Sequence, residues 1–125
     1  MKIAAIIVRI LMGLMFAFAS ITVLFKLFPQ PELSGNIKTF MEGVNVTGYM
    51  ITTIKIIELI CAVAFLSGRF VPLATVVIFP ITLNILLFHI TLAPDGLIVA
   101  ILLMTGNLFL AWYYRDNYKP LFIAK

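Results

Sequence analysis

Charge is scarce in this chain. Only 11% of its 125 residues are charged, against roughly 25% in a soluble domain. It has one cysteine and one histidine. Cys61, standing alone, rules out an intramolecular disulfide and leaves the redox compartment unread. A buried lone cysteine of this kind ordinarily packs. One histidine with one cysteine cannot close a tetrahedral metal site without several carboxylates beside them. Nor can it give bis-histidine haem ligation within one chain. No glycine-rich phosphate loop or dinucleotide fingerprint is present, and no Ser/His/Asp set can be placed. An intrinsic cofactor is therefore not expected. Any redox chemistry would draw on a partner's cofactor or on a diffusible lipid-soluble molecule. Whether the chain is an enzyme is left open by its residues.

What the chain has in quantity is apolar sequence, 63% of it, with a mean hydropathy of +1.17. A soluble chain this apolar could not cover its surface with polar groups. Four runs approach the roughly 20 apolar residues that cross a hydrocarbon core: 3–25, 49–66, 71–92 and 97–114. Lipid leaves backbone groups no outside partner, so the runs should be helices. Tight connections after the second and third runs suit hairpins. The expected fold is an all-α membrane protein, a single domain over 1–125 forming an antiparallel bundle of four transmembrane helices. Ala17-Phe18-Ala19 could pass for a signal-peptidase site. Arg9 interrupts the apolar stretch, however, and the run continues past the supposed cut to Phe25, so a retained span is expected.

The net charge is +4, and its placement explains it better than nucleic-acid binding, which is not expected. With both ends on one side, Lys2, Arg9, Arg69, Arg115, Lys119 and Lys125 gather on that side. Lys26 and Lys38 fall on the other, and Lys55 within a span. The positive-inside rule then places both termini of this multi-pass chain in the cytoplasm. Trp112-Tyr113-Tyr114 followed by Arg115 marks the inner interface. The lipid bilayer is the first partner. A membrane or redox protein and a second copy of the chain are further candidates.

Between the first two runs, Pro29 and Pro31 forbid regular helix. Beyond them Ile37, Phe40, Met41 and Val44 recur at helical spacing, with Lys38, Thr39 and Glu42 between them. This pattern predicts a short interfacial helix over 37–44, in the first outer loop. In the first run Ala5, Arg9, Gly13 and Ala17 recur every four residues, a spacing that lets a neighbouring helix approach closely. In the third run Pro80 frees the carbonyl of Val76 and predicts a kink.

Polar residues inside apolar spans carry the functional interest, because intramembrane charge is costly and usually faces protein or a wet cavity. Lys55 and Glu58 are three apart and share a helix face. Arg9 is a second cation that could hold Glu58, or it could snorkel to the headgroups. At 1.5 Å rise per residue, Arg9, Glu58 and Asn107 fall at similar depths. Lys55 and Asn84 fall near the middle, and His89 and Lys26 towards the outer face. Arg9, Lys55, Glu58 and Asn107 form the expected buried polar core. His89, Asn84 and Lys26 are the expected ligand-binding residues, with His89 foremost: its imidazole can donate to a carbonyl or accept from a hydroxyl. Alternatively, His89 bonds a carbonyl freed at the Pro94 turn. Asn84 and His89 lie about 140° apart around their helix, so they need not share a target.

Several segments, in order, resemble the DoxX family of small four-helix membrane proteins over nearly the whole chain. They are Arg9 to Phe16, Pro29-Gln30-Pro31, Thr47-Gly48-Tyr49, Ile54 to Glu58, and Gly68 to Ala74. Asn84 to His89 with Pro94 and Gly96, then Ala111 to Arg115, complete the match. Cys61-Ala62 and Ser20 depart from a glycine-rich pattern and should alter close packing more than topology. The resemblance implies an inner-membrane protein. It also implies a link to membrane redox complexes, since some relatives are tied to thiosulfate:quinone oxidoreductase. Two functions follow as expectations: a subunit or accessory of a quinone-linked redox complex, or a non-enzymatic scaffold or small-solute carrier.

Overall fold

A computed structural model describes residues 2–27 and 32–124, and every regular element among them is helical. The elements are α1 (Lys2–Leu24), α2 (Gly35–Val46), α3 (Met50–Ser67), α4 (Val71–Thr91), α5 (Leu97–Tyr113) and the short α6 (Arg115–Tyr118). Single 3-10 turns at Pro94–Gly96 and Lys119–Phe122 complete the set. The proline break expected at Pro29 and Pro31, and Lys125, lie outside the described residues. Four helices are long and apolar enough to cross a membrane: α1, α3, α4, and α5 counted from Pro94. α4 continues as helix through Pro80.

These four pack in a closed ring, α1 on α3, α3 on α4, α4 on α5 and α5 back on α1. Each contributes one large side chain that is fully or almost fully buried: Phe16, Phe65, Ile78 and Leu110. The outward faces are apolar too, with Leu11, Phe18, Val63, Leu73 and Leu102 all more than half exposed. Apolar surface on this scale needs a cover of its own kind. Small residues set the closest approach. A Cβ placed on Gly13 would lie 2.8 Å from Leu66 Cγ and 3.1 Å from Phe65 Cβ. Ser20, Cys61 and Ala62 are also buried.

Helix ends are closed by local chemistry. Lys26 adopts a left-handed backbone (φ 51°). Leu27 N–H then reaches back to the Thr22 carbonyl (3.1 Å) and Lys26 N–H to that of Val23. This is a Schellman closure with lysine in the position glycine usually takes. Thr47 bridges two helices: its hydroxyl donates to the Val44 carbonyl (2.8 Å) and accepts from Met50 N–H (3.1 Å). Between α3 and α4 the turn needs only Gly68, Arg69 and Phe70, with Gly68 and Phe70 both left-handed. Tyr118 donates to the Pro72 carbonyl (2.7 Å), tying α6 to the start of α4. Burial pushes this phenol above its usual pKa, so it stays a donor at neutral pH.

Most hydroxyls within the spans are spent on their own helix. Ser20 donates to Phe16, Thr75 to Val71, Thr82 to Ile78 and Thr91 to Leu87. Back-bonding of this kind satisfies the donor without a second helix.

Candidate functional site

A cavity of about 1390 Å³ opens among the later half of α1, the earlier half of α3, the later half of α4 and the earlier half of α5. Small-molecule sites typically run to roughly 300–1,000 Å³, so this one has room for a ring and part of a tail. Phe40, Met41, Val44 and Asn45 of α2 form one wall. Phe40 meets Phe88 of α4 with ring centroids 5.1 Å apart. α2 itself has no buried residue, so it covers the cavity without belonging to the core.

Most of the lining is apolar, but besides Asn45 and Thr52 it carries five polar or charged side chains from two of the spans and the turn that ends α1. Lys26, Lys55, Glu58, Asn84 and His89 all line it. Asn84 and His89 reach the same space although they stand well apart around α4. The lining residues Pro80, Ile81, Asn84, Ile85, Phe88 and His89 sweep about half the circumference of that helix at 100° per residue. The cavity is wide enough to take both edges.

Lys55 Nζ lies 3.0 Å from Glu58 Oε2, with the side chains 18% and 3% exposed. The short spacing within α3 brings them together. No donor, however, is aligned with that carboxylate oxygen for a hydrogen bond. The pair is held by charge at close range, with Oε2 itself buried.

His89 stands in the last turn of α4. Its Nδ1 is 2.8 Å from the Ile85 carbonyl of the same helix. A carbonyl only accepts, so Nδ1 carries the hydrogen and the neutral ring keeps a lone pair on Nε2. The bond therefore goes one turn back, not to a carbonyl at the Pro94 turn. Gly96 makes room for the ring: a Cβ there would lie 2.5 Å from His89 Cδ2. Edge contact with Phe88 (centroids 5.3 Å apart) holds the other side.

Two expected polar residues lie elsewhere. Arg9 does not hold Glu58. Its guanidinium donates to the carbonyls of Phe65 and Leu66 at the far end of α3, and packs over Gly68. A cation there suits the negative end of the α3 dipole. Asn107 is fully buried, donates to the Thr75 carbonyl (3.2 Å) and leaves its Oδ1 without a partner. It joins α5 to α4 and does not line the cavity. A second recess of about 580 Å³ between α3 and α4, lined by Cys61, Ser67, Arg69 and apolar side chains, holds none of the expected ligand residues.

Sequence reasoning passed over Thr75, whose carbonyl holds Asn107, and the space that Gly96 leaves for His89. The Pro94–Gly96 turn was visible, but nothing in it signals a histidine ring packed from seven residues earlier. Compared with models of known families, with curated proteins and with solved structures, the chain matches none of them.

Proposed function

We propose that this is an integral membrane protein that binds a lipid-soluble amphipathic molecule of the quinone class in the cavity beneath α2. It acts in this reading as a subunit or accessory of a membrane redox complex. The observation that carries it is the cavity: an apolar chamber with Lys26, Lys55, Glu58, Asn84 and His89 on one lining. An apolar pocket with a few convergent polar groups is the usual form of a small-molecule site. A head group would rest among these residues while its tail lies along the apolar walls towards lipid. The resemblance to the DoxX family adds the redox association.

In this reading the four spans form an antiparallel bundle in a bacterial-type inner membrane. Both termini are cytoplasmic, and α2 lies at the outer surface. Cysteine labelling in a Cys61→Ala background tests the topology. Lys38→Cys is expected to react with an impermeant maleimide from outside, and Lys119→Cys only after the membrane is opened. The reverse pattern would invert the assignment.

The function is tested by extraction. Protein purified in mild detergent should carry a quinone-class molecule near one per chain, identified by mass spectrometry. An Ile85→Trp variant, which fills the cavity, should carry about tenfold less. An oligomer free of any such molecule would instead favour the scaffold reading.

A further inference from the structure

The geometry points to a second ligand site. The recess between α3 and α4 seats an acidic phospholipid, with one acyl chain in the groove and the headgroup phosphate on Arg69. This site is separate from the cavity beneath α2 and does not depend on what fills that cavity.

The recess, about 580 Å³, starts at the turn between α3 and α4 and runs along both helices. Ser67 and Ile60 both line it, so it reaches about 10 Å along α3 at 1.5 Å per residue. Small side chains make its floor: Cys61 and Ala74 are buried and Ala64 is partly so. Its flanks are apolar and face outward, with Val63 and Leu73 more than half exposed. A slot of this form, on the face that a spanning bundle turns to lipid, takes a flexible hydrocarbon chain.

The mouth of the slot supplies charge. Four cations gather at this end: Arg9 beside Gly68, Arg69 in the turn, and Arg115 and Lys119 on the segment that Tyr118 ties to Pro72. Three of them are held by protein. Arg9 donates to the Phe65 and Leu66 carbonyls, Arg115 donates to the Trp112 carbonyl and lies over its ring, and Lys119 is 2.9 Å from Asp116. The Arg69 guanidinium has no partner among the described residues; its backbone N–H alone is bonded, to the Ser67 hydroxyl. A free guanidinium over an apolar slot matches a molecule with an anion at one end and a hydrocarbon chain at the other. Guanidinium grips phosphate with two parallel N–H bonds, and basic pockets between spanning helices take acidic lipid headgroups. A zwitterionic lipid brings the same phosphate, but its own ammonium cancels the charge.

Native mass spectrometry tests the site on the full chain, delipidated in mild detergent. The probes are phosphatidylglycerol and phosphatidylcholine with identical oleoyl chains. The parent should bind its first phosphatidylglycerol about fivefold more tightly than phosphatidylcholine, the ratio expected for one cation at a membrane surface. Arg69→Gln should remove the preference by weakening phosphatidylglycerol alone, whereas Arg115→Gln should leave it. Ala64→Leu, which fills the slot, should weaken both lipids several-fold, with circular dichroism confirming its fold. Equal binding of the two lipids by the parent, a preference that survives Arg69→Gln, or the same loss in Arg115→Gln would each overturn the inference. So would a folded Ala64→Leu protein that binds both lipids like the parent, or a dimer that takes up neither. If Ala64→Leu does not fold, the comparison of Arg69→Gln with Arg115→Gln decides the matter.

Discussion

Lys55→Met is expected to cost about 3 kcal/mol or more of stability, the range seen when one partner of a buried ion pair is removed. Glu58 is 3% exposed, and among the described residues the one cation paired with it is Lys55. Methionine matches the length of lysine but leaves a carboxylate in an apolar wall with neither a counter-charge nor water. The reciprocal change, Glu58→Gln, should cost less. Lys55 is 18% exposed and its four-carbon stem can carry the ammonium toward a wetter level. Lys55→Met with Glu58→Leu should recover most of the loss, since apolar replacement of a whole buried pair is often neutral. Thermal unfolding in one detergent, followed by circular dichroism, compares the four proteins. Identical melting of parent and Lys55→Met would show that the pair does not hold the fold.

Gly13→Leu should be as damaging, by excess of volume. The first added carbon would sit 2.8 Å from Leu66 Cγ and 3.1 Å from Phe65 Cβ. Leu66 is 39% exposed and can swing aside; Phe65 is fully buried and cannot. Alanine at this position should therefore cost about 1 kcal/mol, and leucine about 3 kcal/mol, as expected for overpacking. α1 would have to lift from α3, taking Met15, Phe16 and Lys26 away from the cavity. Leu66→Ala in the Gly13→Ala background should restore part of the loss. Denaturant titration measures the series, and a Gly13→Leu protein as stable as the parent would mean that α1 and α3 do not meet there.

Run length and hydropathy made the four long helices readable, because lipid-facing and core-facing positions are both apolar and no period needs resolving. Each observed helix end lies within one residue of the expected span. The helix over 37–44 was legible from its spacing and extends to Gly35–Val46. Lys55 and Glu58 could be paired on paper because three residues of helix separate them. Arg9 could not be assigned, because its acceptors are backbone carbonyls 56 and 57 residues away, and carbonyls carry no sequence signature. His89 was equally opaque: a ring that bonds its own helix looks in sequence like one aimed at a neighbour. Asn84 and His89 appeared to point apart, and only the breadth of the cavity brings them to one space.

Two of the long-range bonds to backbone differ in when they can form. Spans leave the ribosome in chain order, at roughly 5–20 residues per second. Asn107 emerges after Thr75, 32 residues behind it, so its acceptor already exists. Arg9 has the opposite history. Phe65 follows it by 56 residues, a wait of roughly 3 to 11 s at those speeds. Through that interval the guanidinium must find its partners in headgroups or water. The contact that fixes α1 against the end of α3 therefore forms only once α3 has been made.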